Sequence, residues 1–167
     1  DPRKTASYSI EEAMKVHHIG DTARERRQKA LEYLQEVGLD IQHMERYPHE
    51  FSGGQRQRVN IARALSMEPK IIVCEPVSAL DVSIQAQVIN LFRRLQKQFN
   101  LTYVFISHDL GIIKYISDRI MIMYLGRVME FYTSEGIYAD PKHPYTKALL
   151  SAIPPESPFD KKERLPL

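Results

Sequence analysis

Hydrophobic and polar positions follow one period before Lys70 and a different one after it. In the first part, apolar residues recur at helical spacing, most clearly through 30–37, and this predicts amphipathic helices. A capping-box spacing at Ser9 predicts where a first helix begins, and Gly38 predicts where a second helix ends. Residues 1–69 are therefore predicted to form a helical subdomain.

After Lys70, short apolar runs alternate with longer amphipathic stretches. The predicted order is strand 71–74, helix 84–99, strand 102–106, a short helix through 116 that Asp109 can cap, and strand 120–124. Gly126 is expected to turn the last strand into 127–132. Apolar runs of this kind are typical of strands that are buried on both faces. The alternation predicts an α/β fold with a parallel sheet and right-handed crossovers, so functional loops are expected at the carboxyl ends of the strands.

The composition is that of an ordinary globular protein. Of the 167 residues, 43% are hydrophobic and 26% are charged, and the formal net charge is +2. This balance gives no strong electrostatic attraction to nucleic acid. No apolar run reaches the roughly 20 residues needed to span a bilayer, so any membrane role is expected to act through a partner.

The first residues and the single cysteine add two expectations. The chain begins with Asp1-Pro2 and not with Met, so we expect it to be part of a larger protein. Cys74 is the only cysteine, which excludes an internal disulfide and fits a reducing compartment.

The first segment with candidate chemistry is Ser52-Gly53-Gly54-Gln55. A serine at the N-cap and a glutamine three residues later form a capping box, which predicts the start of a helix. Glycines carry no side chain that would block the free N–H groups of such a helix, so a phosphate can approach them. The structural alternative is a well-capped helix that binds nothing.

Further candidates follow the predicted strands. Glu75 follows the first strand, His108 follows the second, and Ser78-Ala79-Leu80-Asp81 lies between them. The neighbours of His108 do not make it part of a hydrolase triad, because adjacent residues point in different directions at a strand end. The histidines lack metal-ligand spacing with cysteine or carboxylates, so no metal site is predicted. The chain also contains no G-x-x-x-x-G-K-[ST] sequence, the pattern of a phosphate-cradling loop.

In their order and spacing, these segments resemble the catalytic half of the ABC-type ATPase family. The resemblance makes 52–55 the signature motif, which would contact the γ-phosphate of an ATP molecule held by a partner subunit. It makes Glu75 the general base after the Walker B strand, 78–81 the D-loop and His108 the switch histidine. The implied fold is the carboxyl-terminal part of a P-loop NTPase-like core with a parallel sheet.

The carboxyl-terminal tail resembles one particular branch of that family. Residues 141–154 resemble the carboxyl-terminal segment of oligopeptide and dipeptide importer ATPases. The implied division is a helical subdomain at 1–69 that ends in the signature helix, the carboxyl-terminal part of the ATPase core at 70–132, and the importer-type tail at 133–167.

One departure from the family pattern follows Cys74. The importer branch has an aspartate between this cysteine and the glutamate, and the metal-associated aspartate looks deleted here. In one interpretation, Glu75 remains the general base and the metal position is empty. In the other, Glu75 moves into the metal position and no base remains. The D-loop that follows stays in register with Glu75, which favours the first interpretation.

The resemblance implies the ATP-hydrolysing subunit of an importer for oligopeptides or dipeptides. The implied cofactors in the intact protein are ATP and Mg²⁺. The implied partners are a second ATP-binding subunit, membrane permease subunits and a peptide delivered by a binding protein, with no nucleic acid. The protein would lie at the cytoplasmic face of the cell membrane, and this chain alone, without a Walker A loop, is expected to be inactive.

Two other classes remain open. A soluble ABC protein that acts on nucleic acid or ribosomes would need a basic face or long inserted arms, and the chain has neither. A catalytically inactive dimerisation or regulatory module is supported by the missing aspartate. ATP hydrolysis by the intact protein, measured with and without an aspartate inserted after Cys74, distinguishes the inactive module from a transport ATPase.

Overall fold

The structure is a computed structural model that describes residues 1–75 and 82–153. The chain divides into two compact units, Asp1–Ile106 and Ser107–Leu167. The functional division predicted at 69/70 and 132/133 stays a prediction. No helix within the described ranges is both long enough and apolar enough to cross a membrane.

The described residues of the first unit, 1–75 and 82–106, form four helices and two strands. They are α1 (Ala6–Val16), α2 (Ala23–Glu36), α3 (Gly53–Leu65), β1 (Ile71–Cys74), α4 (Val82–Phe99) and β2 (Thr102–Phe105), with 3-10 turns at Ile41–His43 and Pro48–Glu50. The fully buried side chains of Ile10, Met14 and Leu34 lie among α1, α2 and α3. The predicted helical character of this part of the chain is therefore confirmed.

The start of α1 differs from its prediction. Thr5, and not Ser9, is the N-cap, since the Thr5 hydroxyl accepts a hydrogen bond from the Tyr8 backbone N–H at 3.3 Å. The Ser9 hydroxyl instead donates to the Ala6 carbonyl at 2.8 Å, one turn inside the helix. Gly38 ends α2 as expected, with a left-handed φ of 76° directly after the C-cap residue Val37.

The two strands of the first unit pair in parallel, as predicted. Ile71 is opposite Thr102, and Cys74 is opposite Phe105. Helix α4 covers one face of this pair, where the Phe92 ring meets the rings of Tyr103 and Phe105 edge-on at centroid distances of 5.1 and 5.3 Å. The carboxyl end of β1 is held by a further bond from the Ile106 N–H to the Cys74 carbonyl, at 2.9 Å.

The opposite face of β1 and β2 is open, so the predicted burial on both faces is wrong for the described residues. Ile71, Val73, Val104 and Ile106 are each about half exposed or more, at 59%, 63%, 47% and 58%. The apolar runs do carry side chains for two covered faces, but the described residues cover only the face on which Phe92 of α4 packs. The pattern of apolar residues indicates which side chains can be buried. It does not indicate whether another element of the fold covers them.

The second unit contains α5 (Leu110–Ile116), β3 (Arg119–Tyr124), β4 (Arg127–Thr133), α6 (Ser134–Ala139) and α7 (Pro144–Ser151). The strand predicted at 120–124 forms an antiparallel hairpin with β4, and not a third parallel strand, in the described part of the chain. The reason is the turn at Leu125 and Gly126, whose φ angles of 47° and 75° are both left-handed. A two-residue turn of this conformation matches the twist of antiparallel strands and returns the chain directly.

Glu130 on β4 holds the beginning of the tail helix α7. Its carboxylate accepts hydrogen bonds from the backbone N–H groups of Lys142 at 2.9 Å and His143 at 3.1 Å. Partial burial opposes its ionisation, but the neighbouring Thr146 hydroxyl and the two N–H groups outweigh that effect and lower the pKa of Glu130. The Thr146 hydroxyl that contributes to this effect is itself buried.

We expect Glu130→Gln to lower the melting temperature at neutral pH and to have less effect in acid. Because the folded-state pKa lies below the ordinary value of 4.5, the carboxylate stabilises the fold above that value and loses this contribution as the pH falls through the lower one. Thermal unfolding of the chain at about pH 7 and about pH 3 measures the difference. Glu12→Gln, on the exposed side of α1, is the control and should change neither curve. Equal destabilisation by Glu130→Gln at both pH values would contradict the assignment.

Candidate functional site

Helix α3 begins with the predicted capping box. The Ser52 hydroxyl accepts a hydrogen bond from the Gln55 backbone N–H at 3.3 Å, and the Gln55 side-chain oxygen accepts one from the Ser52 N–H at 3.1 Å. These reciprocal bonds use the side chains of the segment to define the helix start. The helix that follows is 13 residues long, so its N-terminal partial positive charge is well developed.

The next two N–H groups are the ones available to a ligand. Ser52 and Gly53 are exposed. Within residues 1–75 and 82–153, no acceptor bonds to the backbone N–H of Gly53 or Gly54. Unpaired N–H groups at a helix N-terminus suit an anionic oxygen ligand. The described residues therefore fit one phosphate group of a nucleotide, as the sequence predicts.

The two glycines have different surroundings. A Cβ built on Gly54 would lie 2.7 Å from the Ile84 side chain of α4, closer than carbon atoms approach. Gly54 is also buried, whereas Gly53 is exposed. The glycine at 54 is thus required by packing between α3 and α4, a role that the motif alone did not reveal.

Arg58 is a residue of this site that the sequence analysis missed. Its guanidinium donates to the Val37 carbonyl at the end of α2, at 2.6 Å, and to the Gln87 side chain on α4, at 3.3 Å. A Cβ at Gly38 would lie 3.0 Å from the same guanidinium, so the glycine leaves room for it. Arg58 therefore ties α3 to both neighbouring helices. The sequence feature that could have indicated this role is the position of Arg58 in the run Gln-Arg-Gln-Arg, as a charged residue on an otherwise apolar face of α3.

Glu75 directly follows β1, at the carboxyl end of the strand where it was predicted. The residue is exposed. The predicted D-loop, Ser78-Ala79-Leu80-Asp81, lies outside the described residues. Within the described ranges, no group of three or more potential ligand side chains is placed to hold a metal ion. The described residues therefore do not form a magnesium site by themselves.

Cys74, just before Glu75, lies on the face of β1 that α4 covers. Burial raises the pKa of its thiol to about 12. Burial, and the nearby Cys74, also raise the pKa of Tyr103 on the neighbouring strand. Cys74 is consequently a protonated packing residue and not a nucleophile.

We expect Cys74 to resist alkylation in the folded chain. With a thiol pKa of about 12, its thiolate fraction near neutral pH is about a thousand-fold below that of an ordinary cysteine. Because it is the only cysteine, iodoacetamide labelling followed by mass spectrometry reports on this residue alone. The chain unfolded in urea is the control and should label at the ordinary rate. Rapid labelling of the folded chain would contradict the burial of this strand face.

His108 is exposed and lies in the second unit. Its neighbours Ser107 and Asp109 each take part in a local hydrogen bond. The Ser107 hydroxyl accepts from the Asp109 N–H at 3.0 Å, and the Asp109 carboxylate accepts from the Ile112 N–H at 3.0 Å. Asp109 is thereby the N-cap of α5, as predicted. The structure brings Ser52, Gly53, Gly54 and Gln55 together in the first unit, places Glu75 in that unit also, and places His108 in the second.

Known proteins match this chain along nearly its whole length. The sequence profile of the ABC transporter family matches residues 1–78. The oligopeptide transport ATP-binding protein OppF of Bacillus subtilis (strain 168) is 53% identical over 166 residues, which cover 99% of this chain and 54% of that protein. The dipeptide transport ATP-binding protein DppF of Lactococcus lactis subsp. cremoris (strain MG1363) is 54% identical over 159 residues, which cover 95% of this chain and 51% of that protein. The chain spans about half the length of these relatives.

Solved structures agree in fold. The dimeric ATP-binding cassette MJ0796, in a post-hydrolysis state bound to ADP and Pi, superimposes with a TM-score of 0.68 at 31% identity, covering 80% of this chain and 58% of that one. The fold is thus that of an ABC-type ATPase cassette. The chain belongs to the family of ABC transporter ATP-binding proteins, in the branch that contains the oligopeptide and dipeptide transport proteins.

Proposed function

We propose that the whole protein to which this chain belongs hydrolyses ATP and thereby drives the uptake of oligopeptides or dipeptides. The observation that carries the proposal is the exposed start of α3, where Ser52 caps the helix and two N–H groups are free of acceptors among the described residues. ATP supplies the phosphoryl group whose transfer to water drives transport. The tail at 141–153 and the relatives that are named for peptide transport support the substrate class.

The start of α3 binds the γ-phosphate of a nucleotide that a second ATP-binding subunit holds. An exposed helix start is accessible to a group from another chain, and the phosphate charge complements the helix N-terminus. The Walker A pattern is absent from this chain, so the triphosphate is held mainly by residues that the chain does not contain. By the same reasoning, the 167-residue chain alone does not hydrolyse ATP at a measurable rate.

Glu75 and His108 carry out the chemistry in this proposal. Glu75, exposed at the end of β1, accepts a proton from the attacking water, and His108 contacts the γ-phosphate. Mg²⁺ binds in the whole protein together with the phosphates of the nucleotide, which commonly leave only one or two ligand positions to protein carboxylates. The protein lies at the cytoplasmic face of the membrane, bound to permease subunits that receive peptide from a binding protein.

The test is reconstitution of the full-length protein with its permease subunits and binding protein in vesicles. ATP-dependent uptake of a labelled peptide, and its loss by about 100-fold or more in Glu75→Gln, would support the proposal, because a general base typically contributes that much. Uptake that is unchanged by Glu75→Gln would reject the role of Glu75. If the transporter takes up a small solute and not a peptide, the proposed ATP hydrolysis stands and the proposed substrate class is rejected.

A second candidate function is a catalytically inactive partner of another ATPase. It is favoured by one observation, the direct sequence Cys74-Glu75 without the family aspartate. Inserting an aspartate between these residues in the full-length protein separates the two functions. If the native protein is inactive and the insertion creates ATP hydrolysis, the inactive module is correct. If the native protein hydrolyses ATP, the inactive module is rejected.

A further inference from the structure

The second unit contains a long-range hydrogen bond at the helix that follows His108. The Tyr138 hydroxyl, on α6, donates to the carbonyl of Leu110, the first residue of α5, across 28 positions of sequence. Leu110 is separated from His108 only by the capping residue Asp109. The phenol therefore acts on the first turn of α5, the part of the helix that determines where the His108 backbone lies.

One further contact fixes Tyr138 against α5. The Lys114 ammonium lies 5.4 Å from the centre of the Tyr138 ring, over its face. Burial and the charge of Asp109 raise the pKa of the Tyr138 phenol, whereas the nearby backbone N–H of Lys114 lowers it by a smaller amount. The phenol therefore remains a hydrogen-bond donor at physiological pH. It also lies beside both the first and the second turn of α5.

Helix α6 is itself held in place. Thr133 caps it by accepting a hydrogen bond from the Gly136 N–H at 3.2 Å, and the Ser134 N–H donates to the Asp118 carbonyl at 2.8 Å. Ile137, next to Tyr138, is only 1% exposed. Tyr138 thus projects from a well-packed support, and a change in α6 displaces the start of α5 through this contact.

We propose that Tyr138 is a positioning residue for His108, which holds the start of α5 so that the histidine points to the nucleotide. The inference rests on the proposed function, in which His108 contacts the γ-phosphate. It adds a role in the arrangement of the ATPase site for α6, which lies at the beginning of the predicted tail at 133–167. Tyr138 does not touch the nucleotide, so its effect on ATP hydrolysis is transmitted entirely through His108.

The experiment compares Tyr138→Phe with Tyr132→Phe in the full-length, assembled transporter. Tyr132 is a control from the same unit, because its ring lies against Gly136 of α6 and its side chain is 60% exposed. We expect Tyr138→Phe to lower kcat for ATP hydrolysis about five-fold with the KM for ATP unchanged, as for the loss of one hydrogen bond. We expect Tyr132→Phe to change neither parameter. An unchanged kcat in Tyr138→Phe, or an equal loss in both variants, overturns the inference.

A double-mutant cycle separates positioning from a general loss of structure. If Tyr138 acts through His108, Tyr138→Phe has no further effect on the residual single-turnover rate of His108→Ala. A further five-fold loss in that background overturns the inference. If His108→Ala itself leaves hydrolysis unchanged, the proposed function of His108 fails, which is a different result from failure at Tyr138.

A measurement without turnover completes the test. In NMR spectra of the full-length protein with ¹³C-labelled histidine, Tyr138→Phe should shift the imidazole signal of His108 and leave those of His17 and His43, in the other unit, in place. Tyr132→Phe should leave all three unchanged. A His108 signal that is unaffected by Tyr138→Phe overturns the inference.

Discussion

Ser52→Asp in the full-length protein should lower ATP hydrolysis and peptide uptake by about 100-fold or more, the size of the effect when a transition-state phosphate loses an electrostatic clamp. Ser52 is exposed at the start of α3 and its hydroxyl caps the helix. Aspartate is as good an N-cap residue as serine, so the helix is expected to form normally. The added negative charge, however, occupies the place where the γ-phosphate of the partner's nucleotide is proposed to bind.

Ser52→Asn is the matched control, because asparagine caps a helix as well as aspartate and has nearly the same size without the charge. We expect it to retain much more activity than Ser52→Asp, and both variants to bind nucleotide and to melt like the parent protein. Hydrolysis and uptake are measured in the reconstituted transporter. Equal activities of the two variants would mean that no anion binds at this helix start.

Gly54 is a less suitable place for such a charge, although the motif makes it an obvious choice. Its Cβ position lies 2.7 Å from the Ile84 side chain, so every larger residue forces α3 and α4 apart. A loss of function in Gly54→Asp therefore cannot be attributed to charge. The exposed residue Ser52 is therefore the better place for the added charge.

Phe92→Ala should have the largest effect on stability, about 3 to 5 kcal/mol in the free energy of unfolding, as for other large-to-small changes in protein cores. The Phe92 side chain is 1% exposed and meets the rings of Tyr103 and Phe105 edge-on. Its removal leaves a cavity between α4 and the two parallel strands. It also loosens the strand that places Glu75.

Phe99→Ala on the same helix is the control for this prediction. Phe99 is 37% exposed, so its truncation should cost about 1 kcal/mol or less. Urea unfolding of the chain, followed by circular dichroism, measures both variants. If Phe99→Ala destabilises the chain as much as Phe92→Ala, α4 does not pack on the strands through Phe92.

Features that depend on a few neighbouring residues followed from the sequence. The capping box at Ser52, the end of α2 at Gly38 and the cap at Asp109 each involve hydrogen bonds or dihedral angles within about four residues, and all three are confirmed. The parallel pairing of β1 and β2 also followed, because a helix between two apolar runs leaves little alternative. The prediction for the start of α1 was wrong for a local reason. Thr5 and Ser9 both carry a hydroxyl that could cap the helix, and the Thr5 hydroxyl is the one that does so.

The candidate site was predicted as a set of residues but not as a geometry. Motif spacing identified Ser52, Glu75 and His108 without indicating what holds each of them in place. The contacts that do so join distant parts of the chain, such as Arg58 with the Val37 carbonyl and Tyr138 with the Leu110 carbonyl. The hydrophobic and polar pattern of a single sequence does not reveal such pairs, because the two partners lie far apart along the chain and in different elements.

The sequence by itself determined the order of helices and strands as far as β3, the capped start of α3 and the family to which the chain belongs. Only the tertiary structure decided which face of β1 and β2 is covered, why Gly54 carries no side chain, and that β3 pairs with β4 and does not join the parallel pair in the described part of the chain. The physical reason is that hydrogen bonds within one turn are set by adjacent residues, whereas burial and close packing depend on which distant elements the folded chain brings together.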